Sequence, residues 1–396
     1  MAFLAVGERN YLLHSFLVRV GLSASDVFGG FLIYEITHSV PLMLAMFSIA
    51  YVFGLLARMF GVVIIAPLYK RIGAIPLLAS SLALVGFADL ALYVLREVLS
   101  TNAVALVAIM SLWLSASGIY YLLANAMKYK AISAHALPGS FSSYIEISKA
   151  LSYIAVSIAA LFLNASDNLI LLLAFAAVPL VLSILPLWRS TLLSDSLTEF
   201  KFSFRNVFSI MSRRAQAANF SYDIISEFVN PIIPLFLILA FAGSTSIPVH
   251  VTGTAFLIST ILLYGGGILK DRKNPILIGA ASLVLFSTFL LIPFSVHTQF
   301  LGVLMLLLGL SRGLINVGFD AEIGREVAQS GNPLGAAVSV ETMRAISGLV
   351  VMPIFLGFYL MFDTLPAFIF VIGAFGMLPF AAYSLKGAGG VFVANK

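Results

Sequence analysis

The chain has no cysteine in 396 residues. That excludes disulfides and Cys-based metal or redox centres. Charge is also scarce: Asp, Glu, Lys and Arg make up 10% of the residues, whereas soluble domains run near about a quarter. The five histidines are scattered, so no imidazole cluster with metal-ligand spacing is legible. No G-x-x-x-x-G-K-(S/T) phosphate loop occurs, which argues against ATP-driven pumping by this chain alone. No nucleophile–base constellation is readable either, so an enzyme is not expected. What fills the chain instead is apolar: 61% of residues are hydrophobic and the mean hydropathy is +1.07. A water-soluble fold could not hide that much apolar surface, so the expected solvent is lipid.

A helix needs about 20 mostly apolar residues to cross the hydrocarbon. Twelve such runs are readable, at 10–36, 41–66, 74–96, 102–127, 140–163, 168–188, 212–241, 248–268, 275–294, 299–325, 334–361 and 364–385. The joints carry breakers and polar residues, as in THSVP, YKRIG, DRKNP, SGNP and FDTLP. The opening MAFLAVGERNYLLHSF lacks a basic segment before a short apolar core, so the first span is expected to be retained rather than cleaved.

Positive charge is distributed unevenly over these joints. With the N-terminus placed in the cytoplasm, sixteen Lys and Arg fall on the cytoplasmic side, among them Lys70, Arg71, Lys128, Lys130, Lys270 and Arg272; Arg96 alone falls on the other. That bias sets both termini inside and supports an even number of spans. It also accounts for the sequence pI of about 9.3 without a nucleic-acid partner. The expected location is the inner or plasma membrane of a cell.

The chain repeats itself. EISKALS at 146–152 and ETMRAIS at 341–347 share the pattern Glu-x-x-(Lys/Arg)-Ala-(Leu/Ile)-Ser, 195 residues apart. At the same offset Pro138 matches Pro333 and Gly118 matches Gly313. The loops APLYKRIG at 66–73 and GILKDRKN at 267–274 align at an offset of 201, as do SDVF at 25–28 and SEFV at 226–229. Two six-span halves joined by a cytoplasmic linker follow: 1–188, a linker at 189–211, and 212–396. Such parallel repeats are a transporter plan.

On these residues the chain resembles the major facilitator superfamily over essentially its full length. The family's loop signature is G-x-L-x-D-R-x-G; Gly267, Leu269, Asp271 and Arg272 match it, with Asn274 in place of the last Gly. In the first half Ala66 and Lys70 replace the first Gly and the acid, while Arg71 is kept. The Gly-Pro motif of the family's drug antiporters is missing from span five. The resemblance implies an all-α integral membrane fold of 12 transmembrane helices in two pseudo-symmetric six-helix bundles. It also implies a monomer in the bilayer with a small-molecule substrate, and a central cavity lined by spans one, four, seven and ten.

Ionisable residues inside a span are costly, roughly 2.5–3.5 kcal/mol on insertion scales, and so are functional candidates. Span one carries Arg19 and Asp26, seven residues apart on one face. They are readable as a cavity pair or a structural pair. Span seven carries Asn219, Asp223, Glu227 and Asn230 as a polar stripe before Pro231. The two acids lack a base on their own helix, which suits holding a proton or a cation. Span ten carries Arg312, Asn316 and Asp320, and span four answers with Ser117, Tyr121 and Asn125. Arg312 is readable as an anion contact or as a counter-ion for the acids. Asp320 reads as interfacial, and Arg58 as a snorkelling base.

The candidate cavity set is therefore Arg19, Asp26, Tyr121, Asp223, Glu227, Asn230, Arg312 and Asn316. The gate or interface set is Arg71, Glu146, Lys149, Asp271, Arg272, Glu341 and Arg344. Each repeated acid faces its own base at i+3, so the element is either a self-neutralised pair or a gate between halves. The expected function is secondary transport of a small solute by alternating access, with H+ as a candidate coupling ion and no other cofactor. The alternatives are a divalent-metal exporter using Asp26, Asp223 and Glu227, a lipid or amphiphile flippase, and a membrane scaffold or sensor that transports nothing.

Overall fold

The computed structural model describes residues 6–135, 137–162, 177–188, 216, 219, 220, 222–224, 263, 267, 268, 276–295 and 300–362. All regular structure there is helical. The helices are α1 (Val6–Thr37), α2 (Val40–Ile72), α3 (Ala74–Val94), α4 (Arg96–Thr101), α5 (Ala103–Ala134), α6 (Pro138–Phe162), α7 (Ala177–Leu187), α8 (Ile276–Ser295), α9 (Phe300–Ser330) and α10 (Pro333–Phe362). Among the described residues, six helical segments are long and apolar enough to cross a membrane. They bear outward-facing apolar side chains such as Phe87 and Phe294, as expected where the surround is hydrocarbon rather than water.

The helices end where the chain writes turn chemistry. Gly73, between α2 and α3, and Gly331, between α9 and α10, have φ of 81° and 66°, values that an L side chain rarely adopts. Asn102 caps α5 by accepting from the Ala105 N–H at 3.0 Å, and Asn332 caps α10 by accepting from the Gly335 N–H at 2.8 Å. Helices α6 and α10 open on Pro138 and Pro333, the position where a missing N–H costs nothing. These two prolines stand at the repeat offset of 195 residues.

Helices α2, α5 and α9 run further than hydropathy suggests, α2 to Ile72 rather than 66. α5 continues to Ala134 rather than stopping near 127, and α9 to Ser330 rather than 325. Lys128, counted above among the loop cations, therefore lies within α5 and is buried. The apolar run stops there, but the helix continues because the charge finds a partner inside the protein.

Packing places α5 at the centre of the described structure. It lies against α2 and α3 of its own half and against α9 and α10 of the other. α10 also packs on α2, and α6 packs on both α1 and α9. Small residues make the close approaches possible. A Cβ on Gly348 of α10 would lie 2.6 Å from the Tyr51 ring of α2. One on Gly324 of α9 would collide with Ile132 of α5, and one on Gly267 would lie 2.7 Å from the Gly139 carbonyl of α6. In lipid, where no hydrophobic force drives helices together, such contacts let dispersion act between backbones.

Candidate functional site: a charged cavity between the halves

The α5–α6 and α9–α10 turns lie toward one end of the bundle, where Gly324 of α9 meets Ile132 of α5. Inward from that end lies a ladder of polar contacts between residues of opposite halves. In one of them Lys128 Nζ of α5 donates to Asp320 Oδ1 of α9 at 2.8 Å. Asp320, expected at the interface, is buried.

The two repeated acids each stand eight residues into their helices, or about 12 Å along the axis. Glu341 of α10 accepts from Asn125 Nδ2 of α5 at 2.6 Å and from its own Arg344 Nη1 at 2.8 Å. Glu146 of α6 accepts from Asn316 Nδ2 of α9 at 3.0 Å and from its own Lys149 Nζ. Each acid is thus paired with a base within its own helix and hydrogen-bonded to an asparagine of the other half. The copies differ in one respect. Arg58 of α2 reaches Glu341 at an ion-pair distance of 3.4 Å and is itself buried, so it does not snorkel. Gly118 makes room for it, since a Cβ there would lie 2.7 Å from Arg58 Cγ. At the matching Gly313 the neighbour is Leu263, which is apolar.

Within the second half, Asp223 accepts from Arg344 Nε at 3.3 Å. The base missing from its own helix is thus supplied by α10. Asn219, one turn earlier, donates to the Val340 carbonyl at 3.2 Å.

Beyond the ladder lies a cavity of about 230 Å³. Arg19, Tyr121, Arg312, Asn316, Glu146, Lys149 and Arg344 of the candidate sets line it. The Tyr121 ring sits between two guanidinium groups, Arg19 at 5.3 Å and Arg344 at 5.8 Å from its centroid. Asp89 of α3 lines the cavity too. Tyr120 lines it as well, and its hydroxyl leads back to His14 behind the wall: His14 Nε2 accepts from it at 3.2 Å while Nδ1 donates to the Ser183 carbonyl at 2.8 Å, tying α1 to α5 and α7.

Arg71 is exposed in the last turn of α2, away from the cavity. Glu227, Asn230, Asp271 and Arg272 lie outside the described residues, as does the side chain of Asp26 and the 189–211 linker. Among the described residues no three His, Asp or Glu are grouped to hold a metal ion. Sequence reasoning passed over Arg58, Lys128 and Asp320 because their partners come from the other half, at separations no helical period reports.

No family model matches the sequence, and no curated protein matches it. Solved structures do. The chain is similar to a bacterial homologue of the iron transporter ferroportin in an outward-facing state, with a TM-score of 0.64 and 17% identity over 98% of this chain and 100% of that one. It is similar to the major facilitator superfamily transporter FucP in an outward conformation, with a TM-score of 0.61 and 14% identity over 96% and 98%. It is likewise similar to the proton:xylose symporter XylE, at 0.61 and 13% over 96% and 94%. The chain has the all-α membrane fold of the major facilitator superfamily.

Proposed function

We propose that this chain is a secondary transporter that moves a small solute by alternating access. One observation carries the reading: the cavity ends, on one side, in contacts made between residues of opposite halves. Lys128–Asp320, Asn125–Glu341 and Asn316–Glu146 would separate together if the halves rocked apart, and packed halves of this kind switch between discrete arrangements. The similar structures serve unlike cargo, one being a homologue of an iron transporter and the others symporters of fucose and of xylose, which supports transport and leaves the cargo to the site itself. The bias of Lys and Arg supports a cytoplasmic position for the laddered end. The candidate coupling ion is a proton, taken up at a buried carboxylate such as Asp223.

The absence of native cysteine makes the test direct, since introduced thiols are the sole ones. Ser117 lines the cavity, and Ser117→Cys in proteoliposomes would be labelled by an impermeant maleimide from either face. Oxidising an added Ile132→Cys/Gly324→Cys pair, placed where α5 meets α9, would restrict labelling to one face, and reductant would restore both. Labelling from one face alone, with or without the cross-link, would instead mark a static scaffold.

A further inference from the structure

We infer that the cavity takes a small organic anion, one bearing a carboxylate or a phosphate group. The inference rests on the transporter reading of this cavity and adds its cargo class. In each ion pair of the ladder the base is the more exposed partner. Side-chain exposure is 19% for Lys149 against 6% for Glu146, and 10% for Lys128 against 7% for Asp320. Arg344 is 23% exposed, while its two acids, Asp223 and Glu341, are both at 0%. Arg344 and Lys149 line the cavity, while Glu341 and Asp223 lie behind its wall. Asp89, Glu146 and Asp320 do border the space, the last two each already bonded to its own lysine.

Two further guanidinium groups, Arg19 and Arg312, line the same space. Arg19 and Arg344 come from opposite halves and flank one ring, Tyr121. A carboxylate or phosphate entering here meets planar forks that can bind it through paired N–H donors. Those bonds are strengthened because the surroundings are poorly polarisable. Six bases and three acids line the space, a balance that disfavours a metal ion. The rest of the wall supplies Tyr121, Tyr222 and Trp113, which suits an apolar or aromatic body. The volume, about 230 Å³, is below the roughly 300–1,000 Å³ of drug-sized pockets and points to a small metabolite.

The test uses the purified full chain and one molecular frame with varied charge: benzoate, phenyl phosphate, benzyl alcohol and benzylammonium, with Co²⁺ as the metal probe. Benzoate or phenyl phosphate should raise Tm by mass action, and the neutral and cationic probes should not. A preference for one anion over the other separates carboxylate from phosphate recognition. Lys149→Gln and Arg19→Gln should weaken anion binding about tenfold or more, as the loss of a charge-assisted bond does, while Lys149→Arg retains it. If Lys149→Gln fails to fold, Glu146→Gln/Lys149→Gln removes both charges together and should show the same loss. Stabilisation by benzylammonium or Co²⁺, by benzyl alcohol equally, or by none of the anions overturns the inference. Two-faced labelling of Ser117→Cys would stand in that case, so transport would survive the loss of the cargo class.

Discussion

Asn125 and Glu341 lie 216 residues apart and share a hydrogen bond of 2.6 Å between the two halves. Asn316 and Glu146 repeat the arrangement in the opposite sense. A duplicated motif has thereby become a reciprocal clasp, in which each half supplies an acid to an asparagine of the other.

The two clasps are unequal, and their variants should rank accordingly. Glu341 is fully buried and serves Asn125, Arg344 and Arg58. Glu146 serves Asn316 and Lys149. Glu341→Gln takes the carboxylate from Arg58 and one of two carboxylates from Arg344, so it should lower Tm more than Glu146→Gln. An equal or reversed ranking, measured by thermal unfolding in one detergent, would show that Arg58 is not engaged with Glu341.

The Lys128–Asp320 pair has no counterpart at the repeat position, where Ile323 stands for Lys128. Lys128→Ala should destabilise by about 3–5 kcal/mol, because it leaves a buried carboxylate without its base. Lys128→Met with Asp320→Leu should recover most of that stability. Recovery of folding with altered maleimide access at the laddered end would identify the pair as a latch; recovery with unchanged access would make it structural.

Gly348→Ala places a methyl against the Tyr51 ring and should cost about 1–3 kcal/mol or hold the halves apart at this end. Gly357→Ala is the matched control on the same helix, with no atom within 4 Å of the added methyl. It should be neutral or stabilising by up to about 1 kcal/mol, through helix propensity alone. Comparing Tm and thiol labelling for the two variants separates loss of close approach from loss of glycine as such.

Tyr120→Phe removes the hydroxyl that His14 Nε2 accepts from and leaves a buried acceptor unsatisfied. The expected cost is about 1–3 kcal/mol in stability. Tyr120 borders the cavity, but its hydroxyl is spent on His14 behind the wall, so anion binding should stay within about twofold of the parent. A larger loss of binding would bring His14 and Tyr120 into the site.

The sequence by itself determined the solvent, the helices and the duplication. Charge so sparse and apolar runs so long have one stable answer in lipid, and Pro138 and Pro333 mark the same helix start in both halves because proline's missing N–H and fixed φ act locally. The i+3 pairs Glu146–Lys149 and Glu341–Arg344 were legible for the same reason, as one turn of helix brings them together. Tertiary structure alone decided the rest. Lys128 read as a loop cation and Arg58 as a snorkelling one, because hydropathy registers a charge and cannot register its partner. Asp223 lacked a base on its own helix and found Arg344 on another. Which member of each pair faces the cavity was likewise invisible in the sequence. It depends on how helices of opposite halves turn their faces when they pack, and there Arg344 came to line the space while Glu341 and Asp223 were buried behind it.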